Sequence, residues 1–220
     1  MQSFSIKTLF LGLLALGAPF AAVYAQTDGP ADSDPARQTV EELQSALVAA
    51  MQMEGQTRYA ERYRELAPVV CDAYALDVIA RLILGTAWGD LSPEQQKRFT
   101  ERFRHLATAN FAANFKSYSG QHFQVTGVQE LKRGQRLVES ELVQPEGDTV
   151  SFRYVLADIA GQWHIINTIA DGVSDLAIKR AEYSSLLRDQ GFDALIAALD
   201  AKIEGLGGIP SNAGERTADG

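Results

Sequence analysis

From Pro35 onward the apolar residues recur first every three or four positions, then every second position, then every three or four again. That succession predicts helices, strands and helices, in that order. Val40, Leu43, Leu47 and Ala50 mark one face of a first helix over Pro35 to Met53. "TRYAERYRELAP" reads as a short helix or a turn, closed by Pro68. Residues 69 to 88 carry Val69, Val70, Tyr74, Val78, Ile79, Leu82, Ile83, Leu84 and Trp88 on nearly all sides, the pattern of one centrally buried helix. The next helix, Pro93 to about Tyr118, is announced by Ser92 as N-cap, Pro93 at its first position and Gln95 completing a capping box.

Strict alternation then takes over. "GQHFQVTGVQEL", "QRLVESELVQP", "TVSFRYVLADI" and "QWHIINTIADG" are four strands, split by the short turns "KRG", "EGD" and "AG". Phe152 and Tyr154 form one face of the third strand; in the fourth, Trp163 and Ile165 point one way and Ile166 the other. Two helices close the pattern, Asp175 to Gln190 and Phe192 to about Glu204. The expected fold is α+β, a curved antiparallel four-stranded meander with helices on its concave face, similar in appearance to NTF2-like folds.

The flanks differ in kind. Lys7, an apolar run from Thr8 to Ala22 and small residues at Val23 and Ala25 make residues 1–25 a secretory signal, so a periplasmic location is expected. Residues 26–35 read as a flexible leader, residues 36–204 as one domain, and residues 205–220 as a disordered tail. Cleavage removes Lys7 and takes the formal charge from −8 to −9, a poor match for nucleic acid or an anionic membrane. The lack of a surface heptad favours a monomer. With Cys71 as the single cysteine there is no internal disulfide, and its apolar neighbours "APVVCDAYAL" predict a buried thiol.

Catalytic chemistry is thinly represented. Ser174 stands in "DGVSD" rather than G-x-S-x-G, ahead of a helix whose first residue is Asp175, so it reads as an N-cap and not a nucleophile. His105, His122 and His164 are scattered over a helix and two strands without metal-ligand spacing, and "GLGGIP" lacks the lysine of a phosphate loop. No metal and no cofactor are expected. For the alternative of an NTF2-like enzyme, His164 with Asp171 is the acid–base pair to test.

Apolar surface is abundant. On the helix after Ser92, Phe99, Phe103, Leu106, Ala107, Phe111, Phe115 and Tyr118 share one arc, with Asn110 and Asn114 inside it. Either the asparagines hydrogen-bond inward or the helix bends near Thr108. Leu176, Tyr183 and Leu187 share a face of the next helix, with Lys179 and Arg180 at its edges. Packed core and lined pocket both produce this pattern.

Three stretches decide between them: "IARLILGTAWGDLSPEQQKRF" (79–99), "FKSYSGQHFQV" (115–125) and "WHIINTIADGVSDLAIKRAEYSSLLRDQGFDALIAAL" (163–199). With the secretory signal they resemble the MlaC, or toluene-tolerance auxiliary, family of periplasmic lipid-binding proteins. "ALVAAMQMEGQTRYAERYRELAPVV" (46–70) resembles its hopanoid-associated HpnM branch. The resemblance implies a non-enzymatic carrier of phospholipid, or of hopanoid. Such a carrier exchanges lipid with an outer-membrane lipoprotein complex and an inner-membrane ABC transporter complex that has an MCE-domain subunit. It places lipid tails against Ile79, Leu82 and Ile83; against Phe103, Phe111, Phe115 and Tyr118; against Phe152, Tyr154, Trp163, Ile165 and Ile169; and against Val173, Leu176, Tyr183 and Leu187. Aspartate at Phe111 or Ile165 is accordingly expected to lower the lipid load while the fold survives. One departure stands out: family members often carry aromatic-Asp ahead of the L-G-x-x-W helix, whereas Tyr74 is followed by Ala75 and the aspartate is Asp77. That displaces the expected start of this helix.

Overall fold

A computed structural model describes residues 34–53 and 58–210. The secretory segment, the leader up to residue 33 and the tail after residue 210 lie outside the described residues. Helix α1 (Pro35–Gln52) starts on an Asp34 cap, whose Oδ1 accepts from the Ala36 N–H at 2.8 Å. Its apolar stripe of Val40, Leu43 and Leu47 is buried against the sheet.

Helix α2 (Tyr59–Ala73) runs straight through Pro68, where a stop was expected. The missing Pro68 donor and its ring clash cost about 3 kcal/mol in an isolated helix. Burial of Tyr63, Leu66, Val70 and Ala73 offsets that here. So does Arg62, whose Nε donates to the Ala112 carbonyl at 2.9 Å.

The single helix expected over residues 69 to 88 is instead three pieces: the end of α2, helix α3 (Leu76–Leu84) and a 3₁₀ segment (Gly85–Asp90). The break at Tyr74 comes from a tertiary contact. Tyr74 is extended and forms a parallel bridge with Ile165, and the Ala75 N–H donates to the Ile165 carbonyl at 3.0 Å. Helix α3 therefore starts at Leu76, one residue before Asp77. Helix α4 (Pro93–Asn114) has the full capping box of Ser92 and Gln95 but ends four residues short of Tyr118.

Strands β1 (His122–Glu130), β2 (Arg136–Val143), β3 (Thr149–Ile159) and β4 (Gln162–Ala170) form the antiparallel meander in sequence order. A fifth strand, β5 (Val173–Ser174), was not expected. The Asp171–Gly172 turn, with both φ values positive, folds the chain straight back so that Val173 pairs with Ala170.

Val138, Ser140 and Leu142 of β2 and Val150, Phe152, Tyr154 and Leu156 of β3 make up the buried face. In β4 a bulge at Ile166 switches the alternation: Ile165 pairs with Leu156 before it, and Thr168 and Ala170 pair with Tyr154 and Phe152 after it. Helices α5 (Asp175–Gln190) and α6 (Phe192–Leu206) complete the domain, with α5 on β4 and α3, and α6 on α4.

Two expectations about the periphery change. Residues 205 and 206 finish α6, and the segment after them packs back: Tyr59 Oη donates to the Gly208 carbonyl at 2.8 Å, and Ile209 packs beside Tyr63, Ala109 and Ala112. Cys71 is exposed on α2, not buried, because the buried stripe of that helix passes through Val70 and Ala73.

Candidate functional site

Between the buried face of the sheet and helices α3, α4, α5 and α6 lies a cavity of about 630 Å³. Its floor is built from buried side chains: Leu47 of α1, Phe103 and Leu106 of α4, and Phe152 and Tyr154 of β3. Ile79 and Leu76 of α3 add aliphatic wall, and Val173, Leu176 and Tyr183 line the side toward α5. A chain of aromatic neighbours runs from Tyr74 through Phe111, Phe115, Phe123 and Phe152 to Tyr154, with ring centroids 5.7 to 6.3 Å apart.

Polar groups in the depth are satisfied and uncharged. The Tyr74 and Thr168 hydroxyls lie 3.0 Å apart, and burial holds the Tyr74 phenol well above its ordinary pKa. Burial likewise pushes Tyr154 up to about 12, against a hydrogen bond from Gln44. Asn110 and Asn114 stay in the wall without bending α4 out of shape. Each donates its amide N–H₂ back to a carbonyl one turn earlier, Asn110 to Leu106 at 2.9 Å and Asn114 to Asn110 at 2.7 Å.

The exposed lining residues show where the cavity meets solvent. They are Asp171, Ile178, Glu182, Lys202 and Gly205, with Asp175 and Lys179 half-buried beside them. Lys179 pairs with Asp175 one turn away, and Lys202 reaches both Glu182 oxygens, at 2.6 and 2.8 Å. Among the described lining residues, charge is thus confined to the mouth.

Nine of the sixteen anticipated side chains line this cavity: Ile79, Phe103, Phe111, Phe115, Phe152, Tyr154, Val173, Leu176 and Tyr183. The other seven lie elsewhere. Leu82 is exposed on the outer side of α3, and Ile83 is fully buried in the core beside it. Tyr118 is exposed beyond the end of α4. Trp163 is partly buried under the Arg136 guanidinium, 5.5 Å from its ring centre. Ile165 is fully buried where the Tyr74 bridge covers it. The bulge turns Ile169 to the opposite face, opposite Arg153, and Leu187 packs into the core lower on α5. Leu47, Leu106, Ala107 and Leu206 line the cavity although they are not among those sixteen; the first three sit on apolar stripes that sequence periodicity does show.

Ser174 caps α5: its Oγ accepts from the Ala177 N–H at 3.2 Å and donates to Asn167 Oδ1 at 3.1 Å. The histidines stand apart from the cavity. His164 Nδ1 donates to the Asp72 carbonyl at 2.8 Å, and His105 Nδ1 meets the Tyr63 hydroxyl at 2.7 Å. Asp171 does line the mouth, but its Oδ1 accepts from the Ser151 N–H at 3.0 Å, and no hydrogen bond joins it to His164.

This architecture has counterparts. A phospholipid-binding protein from Ralstonia solanacearum, solved in complex with a phospholipid, superposes with a TM-score of 0.69 over 79% of this chain and 99% of that one, at 15% identity, and so shares the fold. The toluene tolerance protein ttg2D of Pseudomonas putida is 26% identical over 92% of this chain and 91% of its own. The intermembrane phospholipid transport system binding protein MlaC of Haemophilus influenzae is 24% identical over 56% of this chain, and the matched stretch spans 60% of that protein's length. Residues 37–201 match the MlaC protein family as a whole. With three-quarters of its length inside that match, and with the fold to go with it, the chain belongs to the MlaC family.

Proposed function

We propose that this protein is a periplasmic phospholipid carrier that buries lipid tails in the cavity between sheet and helices. The observation that carries the reading is the separation of chemistry within one cavity: an apolar, uncharged interior and a charged mouth. Family membership, and the phospholipid named for the Ralstonia and Haemophilus relatives, supports the cargo class.

The energetics explain why such a protein is needed. Each methylene is worth about 0.8 kcal/mol in water, so a lipid with about 30 of them faces a desorption penalty on the order of 20 kcal/mol. A dry apolar volume removes most of that penalty without any catalytic residue. An enclosed cavity gives a lipid little reason to leave, so release falls to partners that open it. In this proposal those are an inner-membrane ABC transporter complex with an MCE-domain subunit and an outer-membrane lipoprotein complex, served by a monomer. The enzyme alternative is weaker, because His164 and Asp171 are both engaged with backbone groups instead of each other.

The test is native mass spectrometry of protein purified without detergent from its own periplasm, with extracted lipids identified alongside. A stoichiometric phospholipid adduct is expected; a hopanoid mass would change the cargo and keep the carrier. Phe111→Asp, which places a charge in the wall on a partly buried residue, should reduce the load several-fold with the circular dichroism spectrum retained. Apo protein that takes up nothing from liposomes would end the carrier reading.

A further inference from the structure

The mouth of the cavity carries five charged side chains, and they do not balance. Asp171, Asp175 and Glu182 supply three carboxylates, while Lys179 and Lys202 supply two ammonium groups. Both lysines are already committed, Lys179 to Asp175 and Lys202 to Glu182, and the Lys202 ammonium also sits 5.1 Å from the centre of the Tyr183 ring. Asp171 is the carboxylate left over. Its described partner is the Ser151 backbone N–H, and no cation among the described residues lies within ion-pair distance. The turn holds it at the rim: Asp171 has φ +48° and Gly172 has φ +82°, and their hairpin joins the sheet edge to the start of α5.

We propose that this rim is a headgroup site that selects zwitterionic glycerophospholipids over anionic ones, with Asp171 receiving the headgroup ammonium. The inference rests on the carrier reading above. A lipid whose tails fill the cavity leaves its headgroup among these five side chains, because the described side chains deeper in the wall are apolar or neutral, and Tyr74, Thr168, Asn110 and Asn114 are already hydrogen-bonded within the protein. An ammonium-bearing headgroup meets a carboxylate that lacks a counter-charge. A headgroup with net negative charge meets the same carboxylate as repulsion, and to gain a lysine it must break an existing pair. Exposed ion pairs are worth up to about 1 kcal/mol, so the preference should be about two- to fivefold.

The experiment offers apo protein vesicles that contain equal amounts of phosphatidylethanolamine and phosphatidylglycerol with identical acyl chains. The two bound masses are then compared by native mass spectrometry. Wild-type protein should load the zwitterionic lipid about two- to fivefold over the anionic one at low ionic strength, and the ratio should fall toward unity in about 0.5 M salt. Asp171→Asn keeps the oxygen that accepts from Ser151 and tolerates a positive φ, so its fold should be retained while the preference disappears. Glu182→Gln, on the exposed surface of α5, frees Lys202 and should raise the anionic share. Equal loading by the wild type, or an Asp171→Asn variant with the wild-type ratio, would overturn the role of the rim. No loading of either lipid would overturn the carrier reading instead.

Discussion

Two residues in equivalent turns illustrate how far a single position can be read. Asp171–Gly172 and Ala160–Gly161 both close two-residue hairpins with two successive positive φ values. Aspartate tolerates that conformation, whereas alanine incurs about 1–2 kcal/mol of steric cost. Ala160→Asn should therefore stabilise the protein by roughly 0.5–1 kcal/mol, seen as a higher urea midpoint with an unchanged slope. Asp158, whose Oδ1 accepts from the Gly161 N–H at 2.8 Å, would keep the turn in place. The same scale separates Phe111 from Ile165. Both lie on apolar stripes, but Phe111 lines the cavity and Ile165 is fully buried under the Tyr74 bridge. Aspartate at Ile165 would bury an unpaired carboxylate and threaten the fold, so it is not a clean test of lipid binding.

At the scale of elements, the end of α6 joins the domain through one unusual contact. Gly207 has φ +128°, and a Cβ built there would lie 2.8 Å from the Tyr59 ring. Gly207→Ala should therefore cost more than about 1 kcal/mol and loosen the segment that follows Leu206. Limited proteolysis that cuts the variant after α6 while leaving the wild type intact would show it. Because Gly205 and Leu206 line the cavity, the same change should also weaken lipid retention. Capping chemistry is the part of each element that sequence shows best. Ser92, Gln95 and Ser174 all take the roles their local patterns predict. The path through Pro68 and the break at Tyr74 depend on partners more than 30 residues away, on α4 and β4, and local pattern holds no trace of them.

For the whole molecule, burial of tyrosines sets a limit on the alkaline side. Burial first, and Glu204 second, push Tyr59 up to about 12; burial pushes Tyr154 to about 12 and Tyr63, Tyr74 and Tyr183 higher than their ordinary value. Above pH 10 the unfolded chain loses phenolic protons that the folded protein keeps, so the unfolded state binds fewer protons and stability falls as pH rises. The stabilisation is fully present below about pH 10. It should decline between about pH 10 and 12, at up to about 1.4 kcal/mol per pH unit for each tyrosine still protonated only in the fold. Denaturant midpoints measured from pH 8 to 11.5 should be flat and then drop. A midpoint that stays level to pH 11.5 would mean that these rings ionise as freely as in the unfolded chain.

Periodicity, caps and turns are local properties, and they determined the α+β class, the meander order, the limits of α1 and α5, the start of α4 and the stripes that supply the cavity floor. They work because hydrophobic spacing and backbone capping act within a few residues. Whether those stripes enclose empty volume or packed atoms was decided only in three dimensions, since that depends on how far apart the sheet and helices are held. The bulge at Ile166 moved Ile169 off the buried face, and the Tyr74 bridge placed Ile165 behind the wall. The mouth is likewise a tertiary product. Asp171, Asp175, Lys179, Glu182 and Lys202 come from a turn and two helices, and only their convergence leaves one carboxylate without a counter-charge among the described residues.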